Sequence, residues 1–161
     1  MNKEKFPRGK RSLEEKKDEL RGEDLTGAWL AGADLKGADL QDAKLEGADL
    51  KDAYLRNAIL EGADLRNAIL EGADLIDVDL KGARLEGAEL KDAKLVNADL
   101  RGADLKGADM TGANLSHANL QDANLFRINL DGADLFRTNL KGVDMTGVDI
   151  SNTFLDKWAD I

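Results

Sequence analysis

Hydrophobic residues recur at every fifth position through most of the chain. Leucine occupies these positions from Leu20 to Leu155, with two methionines and one isoleucine as the exceptions. A small apolar residue stands two positions before most of them, and the other positions are mostly polar or glycine. The pattern runs without insertion from residue 23 to residue 157, which gives 27 five-residue units. Such regularity predicts a repetitive fold in which each unit has the same structure.

We denote the leucine position i, so that one unit reads Ala33-Asp34-Leu35-Lys36-Gly37 from i−2 to i+2. Alanine holds 20 of the positions i−2, Asp or Asn holds 18 of the positions i−1, and glycine holds 14 of the positions i+2. Each unit therefore has two apolar positions, i−2 and i, followed by a residue suited to a turn.

A period of five fits neither an α-helix nor a straight strand. Five helical residues turn a side chain by about 140° beyond a full turn, so the leucines would spiral around the helix. In a straight strand, Leu35 and Leu40 would point to opposite faces. Positions i−2 and i do share one face of a short extended segment. If the chain turns after each such segment with one hand, it forms a right- or left-handed tube with alanine and leucine inside.

The repeat Ala-Asp/Asn-Leu-x-Gly is similar to that of the pentapeptide repeat family, over about five-sixths of the chain. This resemblance implies an all-β fold, a right-handed quadrilateral β-solenoid with four pentapeptides per coil and about seven coils. Neighbouring coils are expected to lie ~4.8 Å apart, the usual distance between strands. The leucines form the core of such a tube, including Leu35, Leu55, Leu75, Leu95 and Leu115.

Both ends of an open solenoid need a cover, because they expose backbone edges and apolar side chains. We expect a basic N-terminal tail and capping helix over residues 1–22, the solenoid over 23–157 and a C-terminal cap over 158–161. A capping-box pattern beginning at Ser12 predicts a short α-helix from about Leu13 to Leu20. The apolar face of this helix is expected to lie on the first coil.

Aromatic residues complete the two predicted caps. Trp29, in the first coil, is a candidate contact for the N-terminal helix. At the other end, Trp158 falls at a position i−2 and is too large to continue the coil. We expect Phe154, Trp158 and Ile161 to cover the last coil or to contact a second copy of the chain, which leaves open a monomer or a C-terminally associated dimer.

The charge of −9 is unevenly distributed. Residues 1–22 carry a net charge of +3 and the remainder −12, which disfavours direct nucleic-acid binding by the coils. The chain has no cysteine, and hence no disulfide or thiolate metal site. No segment has the ~20 apolar residues of a membrane helix, and the N-terminus lacks an apolar stretch typical of a secretory signal. We therefore expect a cytoplasmic protein without membrane association.

Four units per coil place residues twenty apart in one outward column. The column Asp24, Lys44, Asp64, Arg84 and Asp104 alternates in sign, as expected of a structural surface in which opposite charges stack. On the third face, Tyr54, Ile76, Val96 and Phe136 point outward with few charges among them. With Phe126, on the face opposite Phe136, they form a candidate interaction surface. The alternative is that these are the scattered hydrophobic residues common on any surface.

The sequence offers no arrangement of catalytic residues. His117 is the single histidine, glycines never precede a helical pattern as in a phosphate-binding loop, and a filled tube provides no concave site. Lysine and arginine facing the stacked Asp and Asn residues argue against a divalent cation site. We predict no catalytic residue, no metal and no cofactor.

The preferred hypothesis is a non-enzymatic structural or protein–protein interaction module with an unknown protein partner. The family resemblance implies an alternative, a DNA-mimicking modulator of a gyrase-type topoisomerase. The charge of −12 favours this alternative. Interleaved lysine and arginine, and the absence of projecting loops or a convincing C-terminal dimerisation helix, argue against it.

Overall fold

Single residues pair in parallel β-bridges at a constant separation of twenty along the chain. The bridges begin with Asp24 and Lys44, and the last joins Asp134 to Phe154. The computed structural model describes residues 14–155, and within this range isolated bridges take the place of longer strands. A 3₁₀ helix, Lys17–Glu19, precedes them. Twenty residues, or four pentapeptides, therefore make one coil of a β-solenoid.

We name the four faces of the solenoid by the residues at position i−1. The first face begins at Asp24, the second at Trp29, the third at Asp34 and the fourth at Asp39. Coil 1 covers residues 23–42, and each later coil takes the next twenty residues to coil 6, residues 123–142. Residues 143–155 begin coil 7.

A β-turn forms each corner between two faces. In the first, Ala28 donates its backbone N–H to the carbonyl of Leu25, at 2.9 Å. The residue at i+2 has a positive φ at every corner from Gly22 to Gly147, between 60° and 75° where it is glycine. Such a φ favours glycine, asparagine and aspartate, and these residues occupy most corners. His117, Arg127 and Arg137 adopt it as well, with φ of 62°, 60° and 55°.

Backbone hydrogen bonds join each coil to the next in both directions. Leu25 donates to the carbonyl of Lys44 at 2.7 Å, and Lys44 donates to the carbonyl of Glu23 at 2.8 Å. Inside this cage, leucine and alanine side chains fill the tube. The predicted core leucines Leu35, Leu55, Leu75, Leu95 and Leu115 are at most 1% exposed. Full burial of one leucine contributes about 1.5–3 kcal/mol, so the regular core accounts for stability despite few aromatic residues.

The Asp and Asn residues at i−1 have a structural role that explains their frequency. Each carboxylate or amide oxygen accepts the backbone N–H of the residue two positions later, as Asn114 does from Ser116 at 2.9 Å. Asp74 is the exception among the 18 such residues. This side-chain turn satisfies a backbone donor that faces away from the core. The same bond recurs in the pairs 24–26, 34–36, 39–41, 49–51, 64–66, 79–81, 99–101, 104–106, 109–111, 119–121, 124–126, 129–131, 134–136, 139–141, 144–146 and 149–151.

The N-terminal end is covered differently from the prediction. Instead of an α-helix continuing to Leu20, the described part of this segment has one α-helical residue, Glu14, followed by two turn residues and the 3₁₀ helix Lys17–Glu19. The carboxylate of Glu14 accepts the backbone N–H of Asp34 at 2.8 Å, and the carbonyl of Lys17 accepts that of Asp39 at 3.0 Å. The segment therefore follows the edge of the first coil and accepts two of its backbone N–H groups. The carbonyls of an α-helix point along the helix axis and would be poorly placed to accept them. Leu20 is buried.

The aromatic residues predicted as cap contacts do not cover the core. Trp29 is 74% exposed and Phe154 is 72% exposed. Both occupy position i−1, whose side chains point away from the tube, so neither packs on the core of its own chain, and contact of Phe154 with a second copy stays a prediction. Leu13, Trp158 and Ile161 lie outside the described residues.

Coil 7 is only partly joined to coil 6. On the third face, Leu135 donates its backbone N–H to the carbonyl of Phe154, and Phe154 donates to the carbonyl of Ala133, both at 2.8 Å. Between residues 123–132 of coil 6 and residues 143–152 of coil 7, the described backbone shows no hydrogen bond and no β-bridge. The apolar residues at positions i−2 and i of coil 7 are correspondingly only half-buried.

Candidate interaction surface

Four outward hydrophobic residues lie together on the third face. Ile76, Val96 and Phe136 belong to its column at i+1, and Tyr54 stands at i−1 one coil before Ile76. Tyr54 is 47% exposed and Phe136 36% exposed, whereas Ile76 and Val96 are half-buried. We call these four residues the apolar strip. Ser116 interrupts the strip between Val96 and Phe136.

Cationic and aromatic neighbours contact both ends of the apolar strip. The ammonium of Lys36 lies 4.8 Å from the ring centroid of Tyr54. The ring of His117 meets that of Phe136 edge-on, with 5.8 Å between centroids. The guanidinium of Arg137 lies 5.2 Å from the same phenyl centroid. These contacts restrict the exposed rings while leaving part of each open to solvent.

Phe126 does not join the apolar strip. It lies on the first face, opposite Phe136, and is 51% exposed. Its own neighbour Arg127 places a guanidinium 5.1 Å from the ring centroid, so the two Phe-Arg pairs have similar local geometry. The difference lies in the surroundings, since Phe126 shares its column with charged residues such as Arg66 and Lys106.

On the first face, opposite charges pair within and between coils. Arg66 donates to Asp64 twice, from Nε at 2.7 Å and from Nη2 at 2.6 Å. The same guanidinium reaches Glu46 at 3.0 Å, and Arg84 reaches Asp64 at 3.3 Å. On the fourth face, Arg101 binds Asp99 with the same two-pronged geometry. These surfaces therefore hold their charges in internal pairs.

The arginines lower the pKa of both carboxyl groups. For Asp64 the largest cause is the side-chain hydrogen bond from Arg66, and for Asp99 it is that from Arg101. A carboxyl whose pKa is depressed by folding stabilises the fold at pH values above its unfolded pKa. That contribution is lost as the pH falls through the lower, folded pKa.

We predict that the Asp64→Asn, Asp99→Asn double variant has a stability that depends less on pH in the acid range. Asparagine still accepts the backbone N–H of the turn, so the variant removes the charge and keeps the local structure. Urea unfolding from neutral pH to below the ordinary value of 3.8 measures the effect. The parent should lose more stability than the variant below that value, and equal slopes would contradict the prediction.

The third face differs from the others in its charge balance. It has four acidic and four basic outward residues, which are Asp34, Asp74, Asp77, Asp134, Lys36, Arg56, Lys94 and Arg137. The second face and its corner, in contrast, have only Lys51 and Lys91 against an acidic set. That set consists of Asp49, Asp52, Glu71, Glu89, Asp92, Asp109, Asp131 and Asp149. Sequence reasoning missed this concentration of acid, although sorting the residues by column would have found it.

Two further features of residues 14–155 limit the chemistry of the surface. No group of three or more His, Cys, Asp or Glu side chains within them is placed to hold a metal ion. The same residues contain no helix with the length and hydrophobicity needed to cross a bilayer.

The comparisons with known proteins agree on the repeat. The family described as pentapeptide repeats (8 copies) matches residues 19–57, 48–87, 88–128 and 113–152. The pentapeptide repeat protein Rfr23 from the cyanobacterium Cyanothece 51142 is 37% identical over 67% of this chain, with a TM-score of 0.53. The chain spans 64% of the length of Rfr23. No functionally curated protein sequence matches the chain.

Two other solved structures show the same architecture. The pentapeptide repeat protein alr5209 from Nostoc PCC 7120 is 32% identical over 70% of this chain and 84% of its own, with a TM-score of 0.50. A trypsin-treated form of QnrB1, a plasmid-mediated fluoroquinolone resistance protein, is 23% identical over 88% of this chain and 86% of its own, with a TM-score of 0.56. At that identity, QnrB1 supports the fold alone. With matches spanning the bridged coils, the chain belongs to the pentapeptide repeat family.

Proposed function

We propose that the chain is a non-enzymatic interaction module that binds a protein partner through the third face. The observation that carries the proposal is the apolar strip, in which Tyr54, Ile76, Val96 and Phe136 lie on one face with balanced charge. Clustered exposed apolar residues that no coil of the same chain covers favour a binding role. On the other faces, charged side chains either pair with one another or are mostly acidic. Such surfaces are better suited to contact with solvent than to a protein interface.

The test uses two matched phenylalanines in coil 6. Phe136→Glu introduces a charge at the end of the apolar strip, whereas Phe126→Glu introduces the same charge on the opposite face, next to an equivalent arginine. Partner capture from a lysate of the source organism, read by quantitative mass spectrometry, should lose its specific protein with Phe136→Glu and keep it with Phe126→Glu. Val96→Lys should reproduce the loss. Equal capture by all variants would exclude the third face as the binding site.

A second candidate function is supported by the acidic second face. We propose as the alternative that this face imitates the phosphate backbone of DNA toward a gyrase-type topoisomerase, whose DNA-binding surface is basic. QnrB1, a plasmid-mediated fluoroquinolone resistance protein, shares the fold. This candidate also favours a C-terminally associated dimer, in which two acidic faces extend the charged surface.

A gyrase supercoiling assay with increasing amounts of the purified protein tests the second candidate. Inhibition at micromolar or lower concentrations, reduced by the Asp52→Lys, Asp92→Lys double variant, would favour DNA mimicry. Light scattering on the same sample gives the oligomeric state. No effect at large excess would exclude this candidate and leave the interaction module.

A further inference from the structure

A row of unpaired backbone donors runs beside the apolar strip. In most units the side chain at i−1 accepts the N–H of residue i+1, but this partner is missing in three successive coils of the third face. Tyr54 and Lys94 have no acceptor in the required place, and Asp74 turns one oxygen to Arg56 Nε at 2.6 Å instead. Within the described residues, the backbone N–H groups of Arg56, Ile76 and Val96 consequently have no hydrogen-bond partner.

No other face has such a row. On the first face, Glu46 and Glu86 lack the bond, but Arg66 between them has it, at 3.3 Å from Asp64. On the second face, the unpaired donors are limited to two neighbouring coils, at Glu71 and Lys91. The row of three therefore coincides with the apolar strip and with the face of balanced charge.

We propose that the third face binds an amphipathic α-helix of a partner protein, with carboxylates along one edge of that helix accepting the three N–H groups. This inference rests on the proposed function and specifies its partner. The helix lies along the solenoid axis, with its apolar residues on Ile76, Val96 and Phe136. Its acidic edge faces the N–H groups of Arg56, Ile76 and Val96.

The spacing of the donors matches a helix better than an extended strand. Neighbouring donors are ~4.8 Å apart along the axis, the distance between coils. Helical residues three apart rise by ~4.5 Å and those four apart by ~6 Å, so an edge of acidic residues follows the row within about 1 Å over three coils. Side chains on one face of an extended strand repeat every ~6.6 Å and lose the match after one coil.

The local charges favour an acidic edge. Lys36, Arg56 and Lys94 stand beside the donors, and the Asp74 carboxylate among them gives Oδ2 to Arg56 while its buried Oδ1 has no hydrogen-bond partner. Asp74 is also nearly buried, with 14% of its side chain exposed. A carboxylate arriving from solvent thus meets backbone donors and cations on the one face where the solenoid has no excess of acid.

The dimensions of the face favour a single helix as its occupant. Six coils give a face ~29 Å long by the coil spacing, and three extended residues make it ~10 Å wide. A single helix, about 10–12 Å across with its side chains, matches that width.

The experiment is an NMR titration of the ¹⁵N-labelled chain with two synthetic helical peptides. Both carry leucines on one face, and they differ in having glutamates or lysines along the adjoining edge. The glutamate peptide should shift the amide resonances of Arg56, Ile76 and Val96, and the lysine peptide should bind at least tenfold more weakly. No shift at these amides with excess glutamate peptide, or equal binding of both peptides, would overturn the proposal.

Three variants separate the donor from the charge beside it. Lys94→Asn supplies a side-chain oxygen that accepts the Val96 N–H. Lys94→Met removes the same charge and leaves the Val96 N–H without an acceptor. Lys44→Asn is the control, because it supplies the same kind of acceptor to the Glu46 N–H on the first face. We expect Lys94→Asn to weaken the glutamate peptide about tenfold more than Lys94→Met, the loss of roughly one charge-assisted hydrogen bond. Lys44→Asn should leave affinity unchanged.

The outcomes distinguish this proposal from the broader one. Equal affinities of Lys94→Asn and Lys94→Met would overturn the role of the donors. If Val96→Lys abolishes capture of the natural partner while the peptides are not discriminated, the third face binds a partner of another kind and only the helix proposal fails. If Val96→Lys retains the natural partner, the proposed function fails whatever the peptides do.

Discussion

Deletion of the single residue Gly112 should unfold the solenoid from coil 5 to its C-terminus. The deletion moves every following residue by one position, so that Asn114 enters position i−2 and Leu115 moves to i−1. Six buried leucines would face solvent if the backbone kept its path: Leu115, Leu120, Leu125, Leu130, Leu135 and Leu140. At about 1.5–3 kcal/mol each, the loss is on the order of 10 kcal/mol, comparable to the whole stability of a typical domain.

A deletion twenty times longer should be far better tolerated. Removing residues 103–122 joins Gly102 to Ala123 and keeps every remaining residue on its face, one coil shorter. Lys91 then stacks on Asp131 and Lys94 on Asp134, so no new repulsion arises on these two faces. Far-UV circular dichroism with thermal unfolding should show one cooperative transition for the long deletion, and for the short one a loss of the part of the folded signal that comes from coils 5 to 7. Similar unfolding of both proteins would contradict this account of the register.

The second large effect is expected for Leu85→Ala. Leu85 is 0% exposed and lies in coil 4, with coils above and below it. Removing its side chain leaves a cavity that the rigid neighbouring coils cannot fill, so the free energy of unfolding should fall by about 2–5 kcal/mol. Urea unfolding followed by circular dichroism measures the loss.

Two other substitutions serve as controls for Leu85→Ala. Leu85→Met keeps most of the volume and should cost less than about 1.5 kcal/mol. Met145→Ala removes a half-buried side chain from coil 7, where little packing is lost. A loss for Met145→Ala as large as that for Leu85→Ala would show that burial within the tube does not determine stability.

Most of the fold follows from the five-residue period. The inward direction of Leu35 and Ala33, and the stacking of residues twenty apart, depend only on regular turning of the backbone. The ends do not follow from the period, because a cap is a single event that no neighbouring unit repeats. Trp29 and Phe154 illustrate this limit. Their size suggested a cap, but their position i−1 fixes the side chain outside the tube.

The candidate surface was only partly predictable. Tyr54, Ile76, Val96 and Phe136 could be grouped because their columns follow from the period. The donor row could not be recognised without knowing that Asp and Asn at i−1 accept a backbone N–H. Once that rule is established, Tyr54 and Lys94 mark open donors from sequence alone. Asp74 does not, because its turn is lost to Arg56 of the preceding coil, a contact between residues eighteen apart.

Because coil 7 is only partly joined to coil 6, the C-terminal end should resist a pulling force less than the inner coils do. A force that pulls the chain ends apart must peel one coil at a time, and each coil releases roughly 70 Å of extended chain. At the C-terminal end, the backbone bonds of Phe154 and the side-chain bond from Asn152 to Asp131 oppose the pull first, and the rest of the stretch 143–152 offers no cross-coil backbone bond. Further extension must break the complete sets of bonds that hold the inner coils. The C-terminal coil should therefore extend at low force, and the inner coils should then unfold one after another at higher force.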